Sequence, residues 1–221
     1  MPDISGRVVV LAGATSVLGQ ATARALVTAG ARVVAVSRDA DRLAALAEIG
    51  ARVEVCDLSD ADAVTALRES IIRHEGAVDG VIPLVGGWRG GGGIVDQSEA
   101  DYRALEISFT VLRNVSRTFD EDIRTSSAGR LAIVSSRAVA RPMAGGASYA
   151  AVKAASEAWV RAVAQSFAKT AREAGEPLRA AATIFRVKGL SEMETIVATE
   201  LAGLWESHAS YINDRIIDLD V

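Results

Sequence analysis

Short runs of apolar and β-branched residues recur along the chain, and each is followed by a longer stretch with the spacing of an amphipathic helix. Apolar runs closed by glycine or polar residues are typical of strands buried on both faces of a sheet. The pattern predicts strands at Arg7–Ala12, Arg32–Ser37, Arg52–Cys56, Val78–Val85, Arg130–Ser135, Leu178–Phe185 and Arg215–Leu219. It predicts helices at Leu18–Ala29, Asp39–Ile49, Ser59 or Asp60 to His74, Ser98–Ile123, Ser148–Ala174 and Glu192–Glu206.

This alternation fixes the expected fold class. Strands that alternate with helices of about a dozen residues form right-handed βαβ units and a parallel sheet. We therefore expect an α/β protein, a three-layer doubly wound Rossmann fold with one mostly parallel sheet of about seven strands. No linker interrupts the pattern, so residues 1–221 are predicted to form a single dinucleotide-binding domain. The glycine-rich segment Gly86–Gly93 is predicted to be a mobile loop.

Composition narrows the classes of function. The net charge of −4 argues against nucleic-acid and anionic-membrane partners, which need concentrated positive charge. Cys56 is the single cysteine, and His74 and His208 lie far apart, so we expect neither a disulfide nor a metal site. No secretory signal is visible, and no run approaches the ~18 apolar residues of a membrane span. We expect a soluble cytoplasmic protein.

A glycine-containing turn, Gly13–Gly19 (GATSVLG), joins the first strand to the first helix. Backbone N–H groups and the positive helix end at such a turn bind a diphosphate. Gly13 and Gly19 occupy positions where the backbone must turn tightly or approach the ligand, and Val17 stands at the middle glycine position. The predicted cofactor contacts in this turn are Gly13, Thr15, Ser16, Leu18 and Gly19. An ordinary βα turn is the alternative.

The end of the second strand indicates which dinucleotide is bound. NAD sites usually place an acidic residue here, where it accepts hydrogen bonds from the ribose 2′-hydroxyl. Ser37 and Arg38 instead suit a 2′-phosphate, because a guanidinium forms charge-assisted hydrogen bonds with it. The sequence thus favours NADP(H) over NAD(H). The alternative is a solvated Arg38 that pairs with Asp39 or Asp41.

Tyr149 and Lys153 lie one helical turn apart on one face of the predicted helix. A neighbouring ammonium stabilises the phenolate, so we expect a lowered Tyr149 pKa and proton transfer near pH 7. Ser136 follows the fifth strand at the carboxyl edge of the sheet, where ligands of such sheets bind. The alternative is a surface tyrosine and lysine beside a serine at a strand end.

Together these motifs resemble the short-chain dehydrogenase/reductase family. The turn is similar to its Gly-x-x-x-Gly-x-Gly loop, with Val17 replacing the second glycine, and Ser136, Tyr149 and Lys153 are similar to its Ser…Tyr-x-x-x-Lys triad. The resemblance implies that Ser136 holds the substrate oxygen and Tyr149 is the general acid or base. It implies that Lys153 lowers the tyrosine pKa and binds the nicotinamide ribose. Further implied cofactor contacts are Asp57, Leu58 and Gly86.

The chain also departs from the family pattern. Ser108 aligns with a helix asparagine of the family, and Pro83-Leu84-Val85-Gly86 replaces Asn-Asn-Ala-Gly. Phe185-Arg186 replaces a Pro-Gly turn, and only Val187–Ser191 remains of the loop that binds substrate. Trp88 in the glycine-rich loop is expected to cover the site, and an exposed side chain on a flexible loop is the alternative.

Three hypotheses follow. The first is an NADP(H)-dependent oxidoreductase that reduces a small-molecule carbonyl or oxidises an alcohol by hydride transfer. The second is a catalytically weak NADP(H)-binding sensor or assembly subunit, favoured by the departures at Val17 and Ser108. The third is a self-associating scaffold. Small residues along Tyr149–Ala171, together with the family resemblance, predict a homo-oligomer, a dimer or a tetramer.

Overall fold

A seven-stranded sheet forms the centre of the protein, in a computed structural model that describes residues 3–219. The strand order is β3-β2-β1-β4-β5-β6-β7, and every pairing is parallel. The strands are β1 Val8–Ala12, β2 Arg32–Ser37, β3 Arg52–Val55, β4 Gly80–Pro83, β5 Arg130–Ser136, β6 Ala181–Val187 and β7 Arg215–Asp218. The predicted doubly wound fold is confirmed.

Helices cover both faces of the sheet. They are α1 Val17–Thr28, α2 Ala40–Ala47, α3 Ala61–Glu75, α4 Glu99–Thr118, α5 Asp120–Thr125, α6 Ala147–Ala174, α7 Glu194–Ala202 and α8 Ala209–Ile212. Successive strand residues point to opposite faces, so Val8 and Val10 join one apolar core while Val9 and Leu11 join the other. Among residues 3–219, none of the helices combines the length and apolar character needed to span a bilayer.

Several element boundaries differ from the sequence-based prediction. The helix predicted over Ser98–Ile123 is divided at the fully buried Phe119, which leaves the helical conformation between α4 and α5. The helix predicted from Glu192 begins at Glu194, because Glu192 has a φ of 68°. That helix ends at Ala202 and continues as a 3₁₀ turn, Gly203–Glu206.

Two strands are also corrected. β4 ends at Pro83 and not at Val85, because Pro83 pairs with Ala12, the last residue of β1, and the Leu84 N–H donates the final hydrogen bond to the Ala12 carbonyl. β6 begins at Ala181 and extends to Val187, where it pairs with Ser136 of β5.

The order in which successive strands are added to the sheet reverses between β1 and β4. β2 and β3 lie on one side of β1, whereas β4 to β7 lie on the other. The carboxyl ends of adjacent strands therefore open a crevice at this point, the usual ligand position in open α/β sheets. The segments that leave β1, β4 and β5 all meet at this edge.

Candidate active site

The glycine turn begins α1 with a defined cap. The Ser16 hydroxyl accepts a hydrogen bond of 3.0 Å from the Gly19 N–H and donates one of 3.2 Å to the Gly13 carbonyl. Gly13 has a φ of 82°, and a Cβ there would lie 2.9 Å from the Val85 nitrogen. A Cβ on Gly19 would lie 2.6 Å from the Ala14 carbonyl carbon. Both glycines are therefore required for the close packing of this turn.

The N-terminal end of α1 is suited to an anion. The Ser16 hydroxyl accepts the hydrogen bond of the Gly19 N–H. The Val17 and Leu18 N–H groups are therefore the donors available to an anion at the positive end of the helix. The Leu18 side chain is buried and contributes to the core, so its predicted ligand contact is reduced to the backbone. The Val17 side chain is 70% exposed and projects from the same helix end.

A cationic corner lies beside the turn, at the end of β2. Thr15 Oγ1 and Ser37 Oγ share a hydrogen bond of 3.1 Å. Arg38 is exposed and, within residues 3–219, forms no ion pair with Asp39 or Asp41. The positive charge of Arg38 acts on the Asp57 carboxyl. Hydrogen bonds from Ser59 lower the pKa of Asp57, and the charge of Arg38 lowers it further.

Sequence reasoning missed a second arginine at this corner. Arg42 Nη2 donates a hydrogen bond of 2.7 Å to the Thr15 carbonyl. Asp39 caps α2 by accepting a 3.1 Å hydrogen bond from the Arg42 N–H, which places Arg42 in the first turn of that helix. A helix cap three residues before an arginine is visible in the sequence and is the signal that would have found it.

Asp57 and Leu58 follow β3, where the family resemblance places them. Asp57 Oδ1 accepts hydrogen bonds from the Ser59 N–H at 3.0 Å and the Ser59 hydroxyl at 2.6 Å, so the carboxylate also shapes this turn. Leu58 is buried. The buried Asn114 amide donates to the Leu58 carbonyl at 3.1 Å and the Ser59 carbonyl at 3.0 Å. Asn114, a residue of α4, thus holds the loop after β3 in place.

The structure brings Ser136, Tyr149 and Lys153 together. Ser136 ends β5, Tyr149 lies in the first turn of α6, and the Ser136 hydroxyl is close enough to the Tyr149 phenol to influence its pKa. Lys153 Nζ donates a 2.8 Å hydrogen bond to the Val134 carbonyl on β5 and lies 5.8 Å from the centroid of the Tyr149 ring. The three side chains therefore form one cluster at the carboxyl edge of the sheet.

The electrostatics of this cluster differ from the prediction. Burial raises the pKa of Tyr149 above its usual value, and the Ser136 hydrogen bond opposes that shift. Burial also lowers the pKa of Lys153 to about 8, while the negative charge of Glu157 opposes that shift. The predicted lowering of the Tyr149 pKa by Lys153 is wrong for the protein alone, because desolvation of the phenol is the larger effect.

A buried ion pair that sequence reasoning missed lies behind the cluster. Ser135 Oγ donates to Glu157 Oε1 at 2.6 Å. Arg186 on β6 binds the same carboxylate with two hydrogen bonds, from Nε to Oε1 at 2.8 Å and from Nη2 to Oε2 at 2.6 Å. The signal was present: Glu157 is one turn beyond Lys153, and Arg186 is the residue that replaces the glycine of the family's Pro-Gly turn.

Gly86 and Ser108 meet on the side where substrate would enter. Gly86 has a φ of 150°, and a Cβ there would lie 3.4 Å from the Ser108 Cβ, so Ser108 stands beside the segment after β4 as the alignment predicts. The Ser108 hydroxyl donates to the Leu105 carbonyl at 2.7 Å, within its own helix.

The glycine-rich loop after β4 has no regular secondary structure and is attached to the segment before α6. The Gly91 N–H donates to the Gly145 carbonyl at 2.7 Å, and the Gln97 amide donates to the same carbonyl at 3.3 Å. Trp88 on this loop is 65% exposed. The loop therefore lies next to the first turn of the helix that carries Tyr149.

Comparisons with known proteins agree with this geometry. The model of the short chain dehydrogenase family matches residues 7–172. The 2,3-dihydro-2,3-dihydroxybenzoate dehydrogenase of Bacillus subtilis is 28% identical over 159 residues, which are 69% of this chain and 60% of that protein. An uncharacterised oxidoreductase of Mycobacterium tuberculosis is 52% identical over 59 residues, which are 26% of this chain and 24% of that protein. The chain thus matches less than two thirds of the length of these curated relatives.

Solved structures extend the likeness to the whole described chain. A metagenomic short-chain oxidoreductase in complex with NADP is 25% identical with a TM-score of 0.80, and the match covers 99% of both chains. NAD⁺-bound xylitol dehydrogenase is 17% identical with a TM-score of 0.84, and the match covers 98% of both chains. The second likeness concerns the fold alone.

Proposed function

Because the chain belongs to the short-chain dehydrogenase family, we propose that it is an NADP(H)-dependent oxidoreductase that reduces a small carbonyl compound or oxidises the corresponding alcohol. The observation that carries the proposal is the cluster of Tyr149 and Lys153 on one face of α6, where Lys153 Nζ lies 5.8 Å from the centroid of the Tyr149 ring and is hydrogen-bonded to β5 two residues before Ser136. This cluster stands at the carboxyl edge of the sheet, next to the segments that leave β1 and β4.

The residues of the β1–α1 turn fit a dinucleotide. Gly13 and Gly19 occupy space that no side chain could share, and the Val17 and Leu18 N–H groups would hold the diphosphate. Asp57, Leu58 and Gly86 complete the proposed binding surface, on the adenine side and beside the nicotinamide. When bound, the nicotinamide supplies a hydride to the carbonyl carbon or takes one from the alcohol.

The preference for NADP(H) rests on the cationic corner. Ser37 replaces the acidic residue of NAD sites, the exposed Arg38 follows it directly, and Arg42 puts a guanidinium group beside the Thr15–Ser37 hydrogen bond. Guanidinium groups bind phosphate through paired, charge-assisted hydrogen bonds. The NADP complex of the metagenomic relative supports this choice.

The triad supplies the proton. In the reductive direction the Tyr149 phenol gives its proton to the substrate oxygen, while the Ser136 hydroxyl holds that oxygen in place. The raised Tyr149 pKa keeps this proton on the phenol at neutral pH, as an acid requires. Below about pH 8 the Lys153 ammonium is charged and stabilises the phenolate that remains after transfer.

The entrance to the proposed site has an apolar rim. Trp88, Met143 and Leu190 are exposed and lie on the segments that follow β4, β5 and β6 at the carboxyl edge. A short connection of six residues, 188–193, joins β6 to α7 in place of a long substrate loop. These features favour a small, uncharged and apolar carbonyl compound.

We also propose that the protein is a homo-oligomer that pairs through α4 and α6. The Phe109 and Trp159 rings stack edge to face at 6.2 Å between these helices. Beside them, a shallow cavity of about 380 Å³ is lined by Trp159, Val163, Ser166 and Arg117, among others. The cytoplasmic location and the single-domain organisation stay predictions.

The second candidate function, a binding protein with weak or no catalysis, is favoured by Val17. Its exposed side chain stands at the helix end where the family has glycine. Fluorescence titration with NADPH and NADH, repeated with Arg38→Ala, tests the shared part of both proposals. Micromolar NADPH binding weakened by Arg38→Ala supports them, and no binding of either dinucleotide contradicts both. Tight NADPH binding without turnover of any ketone or quinone favours the binding protein.

A further inference from the structure

We propose that the buried ion pair between Glu157 and Arg186 sets the charge of Lys153, and that both are positioning residues for the proton transfer of the proposed reductase. The inference rests on the proposed function for its catalytic meaning. The effect of the ion pair on Lys153 itself is argued from the geometry of α6, β5 and β6.

Three consecutive residues of β5 are connected to one face of α6. The Val134 carbonyl accepts a hydrogen bond from Lys153, the Ser135 hydroxyl donates one to Glu157, and the Ser136 hydroxyl is close enough to Tyr149 to influence its pKa. Tyr149, Lys153 and Glu157 are spaced by four residues each, so they share that face. The carboxylate of Glu157 is thus the third member of a row whose first two members carry the proposed chemistry.

The Glu157 carboxylate is held in one position. The residue is 5% exposed, and its two oxygens accept three hydrogen bonds, two of them from the guanidinium of Arg186. Arg186 and Ser135 face each other across the β5–β6 ladder. The strand pairing therefore fixes the guanidinium, and the guanidinium fixes the carboxylate.

The charges near Lys153 have opposite signs and act in opposite directions. Glu157 favours the ammonium, whereas the Arg186 guanidinium that binds the same carboxylate offsets part of its negative charge. Tyr149 and Glu157 are the titratable groups that act on or contact Lys153, and Arg186 and Asp218 are linked to it through Glu157, because Arg186 binds that carboxylate and Asp218 acts on Arg186. Arg137 Nε lies 3.6 Å from Asp218 Oδ1. Among residues 3–219, Glu157 is the negative group whose charge acts on Lys153.

The lysine count makes a direct test possible. The chain has three lysines, at positions 153, 169 and 188, so ¹³Cε-lysine labelling gives three signals in an NMR pH titration of the protein without cofactor. Lys153→Arg identifies the signal of interest. In the wild type we expect this signal to titrate near pH 8.

Single substitutions of the pair should move the Lys153 titration in opposite directions. Glu157→Gln removes the favourable charge and leaves the guanidinium, so we expect a shift of about one pH unit downward. Arg186→Met leaves the carboxylate uncompensated, so we expect a shift of about one unit upward. The double substitution should give a Lys153 pKa between those of the two single variants. It also keeps the test available if one single variant does not fold, because it removes both charges of the pair and leaves neither of them unpaired.

A purely structural role gives a different result. Loosening of the interior admits water and moves both single variants upward, toward the value of a solvated lysine near 10.4. Shifts in the same direction, or no shift in a folded variant, would overturn the inference. Glu173→Gln is the matched control, since Glu173 pairs with Lys169 on the exposed part of the same helix at 3.7 Å. It should leave the Lys153 signal in place.

Turnover provides a separate readout. If the enzyme reduces a carbonyl, the alkaline limb of its kcat/KM profile should follow the NMR shift in each variant. Opposite NMR shifts in a protein without turnover would support the effect of the pair on Lys153 and contradict the reductase. Turnover whose pH profile is unchanged in both variants would support the reductase and overturn the positioning role.

Discussion

The Arg42 guanidinium donates a 2.7 Å hydrogen bond to the Thr15 carbonyl and connects α2 to the glycine turn. We therefore predict that Arg42→Ala lowers NADPH affinity about tenfold and NADH affinity by less than about twofold, because a charge-assisted contact with the 2′-phosphate is lost. Fluorescence titration with both cofactors measures the ratio. Arg172→Ala, at the exposed end of α6, is the control. Equal losses for NADPH and NADH would mean that Arg42 only shapes the turn.

Burial of Lys153 makes the stability of the fold depend on pH. The folded pKa of about 8 lies below the unfolded value of 10.5, so the fold disfavours the ammonium. This cost is fully present below pH 8 and is relieved as the pH rises from 8 to 10.5. We predict that Lys153→Met stabilises the protein by roughly 1–2 kcal/mol at pH 7, and that the difference shrinks at pH 10. Urea unfolding at both pH values measures it.

The exposed Lys169 offers a control for that experiment, because its side chain is 68% exposed. Lys169→Met should leave stability almost unchanged at either pH. A difference between wild type and Lys153→Met that grows with pH would contradict the assigned direction of the pKa shift.

Trp205 closes the amino-terminal side of the sheet against Gly80. The ring is 1% exposed, its Nε1 donates to the Ala128 carbonyl at 2.9 Å, and a Cβ on Gly80 would lie 2.6 Å from its Cζ2. We predict that Gly80→Ala destabilises the fold by about 1–3 kcal/mol through overpacking. Gly189→Ala meets no atom within 4 Å and should be neutral. Combination with Trp205→Phe should cost less than the sum of the two changes, and strict additivity would show that the contact is not the cause.

If the protein self-associates through α4 and α6, substitution of Val163 should disrupt the oligomer. This half-buried residue lines the cavity beside Trp159. Val163→Glu would place a charge in the proposed interface and should convert the oligomer to a monomer at micromolar concentration, as measured by sedimentation. Thr65→Glu, on the exposed face of α3, should leave the oligomer intact. A wild-type monomer under the same conditions would refute the proposed pairing.

The sequence predicted those features that depend on local patterns. The β-branched runs located every strand, and the Tyr149–Lys153 spacing located a helix face. The turn at Gly13–Gly19 is predictable because it lies between a strand and a helix. A turn at this place must be tight and must approach a ligand closely, and both requirements favour glycine. The family resemblance added the pairing of Ser136 with this face.

Features that depend on contacts between distant segments were missed. Arg186 meets Glu157 because β6 lies beside β5, and Asn114 reaches Leu58 because α4 packs against α3 and the loop before it. The pKa of Tyr149 was predicted in the wrong direction for a related reason. Spacing shows that a lysine is near, whereas desolvation depends on what the whole fold packs around the phenol.

The central claim is that Tyr149 transfers a proton during NADPH-dependent carbonyl reduction. The most direct measurement is the rate of NADPH oxidation with a panel of small apolar ketones and quinones, in the wild type, in Tyr149→Phe and in Tyr211→Phe, which alters an exposed tyrosine. We predict carbonyl-dependent oxidation that is retained in Tyr211→Phe and falls at least about 100-fold in Tyr149→Phe, while both variants still bind NADPH. Equal rates in wild type and Tyr149→Phe would contradict the claim, and so would tight NADPH binding with no turnover of any carbonyl.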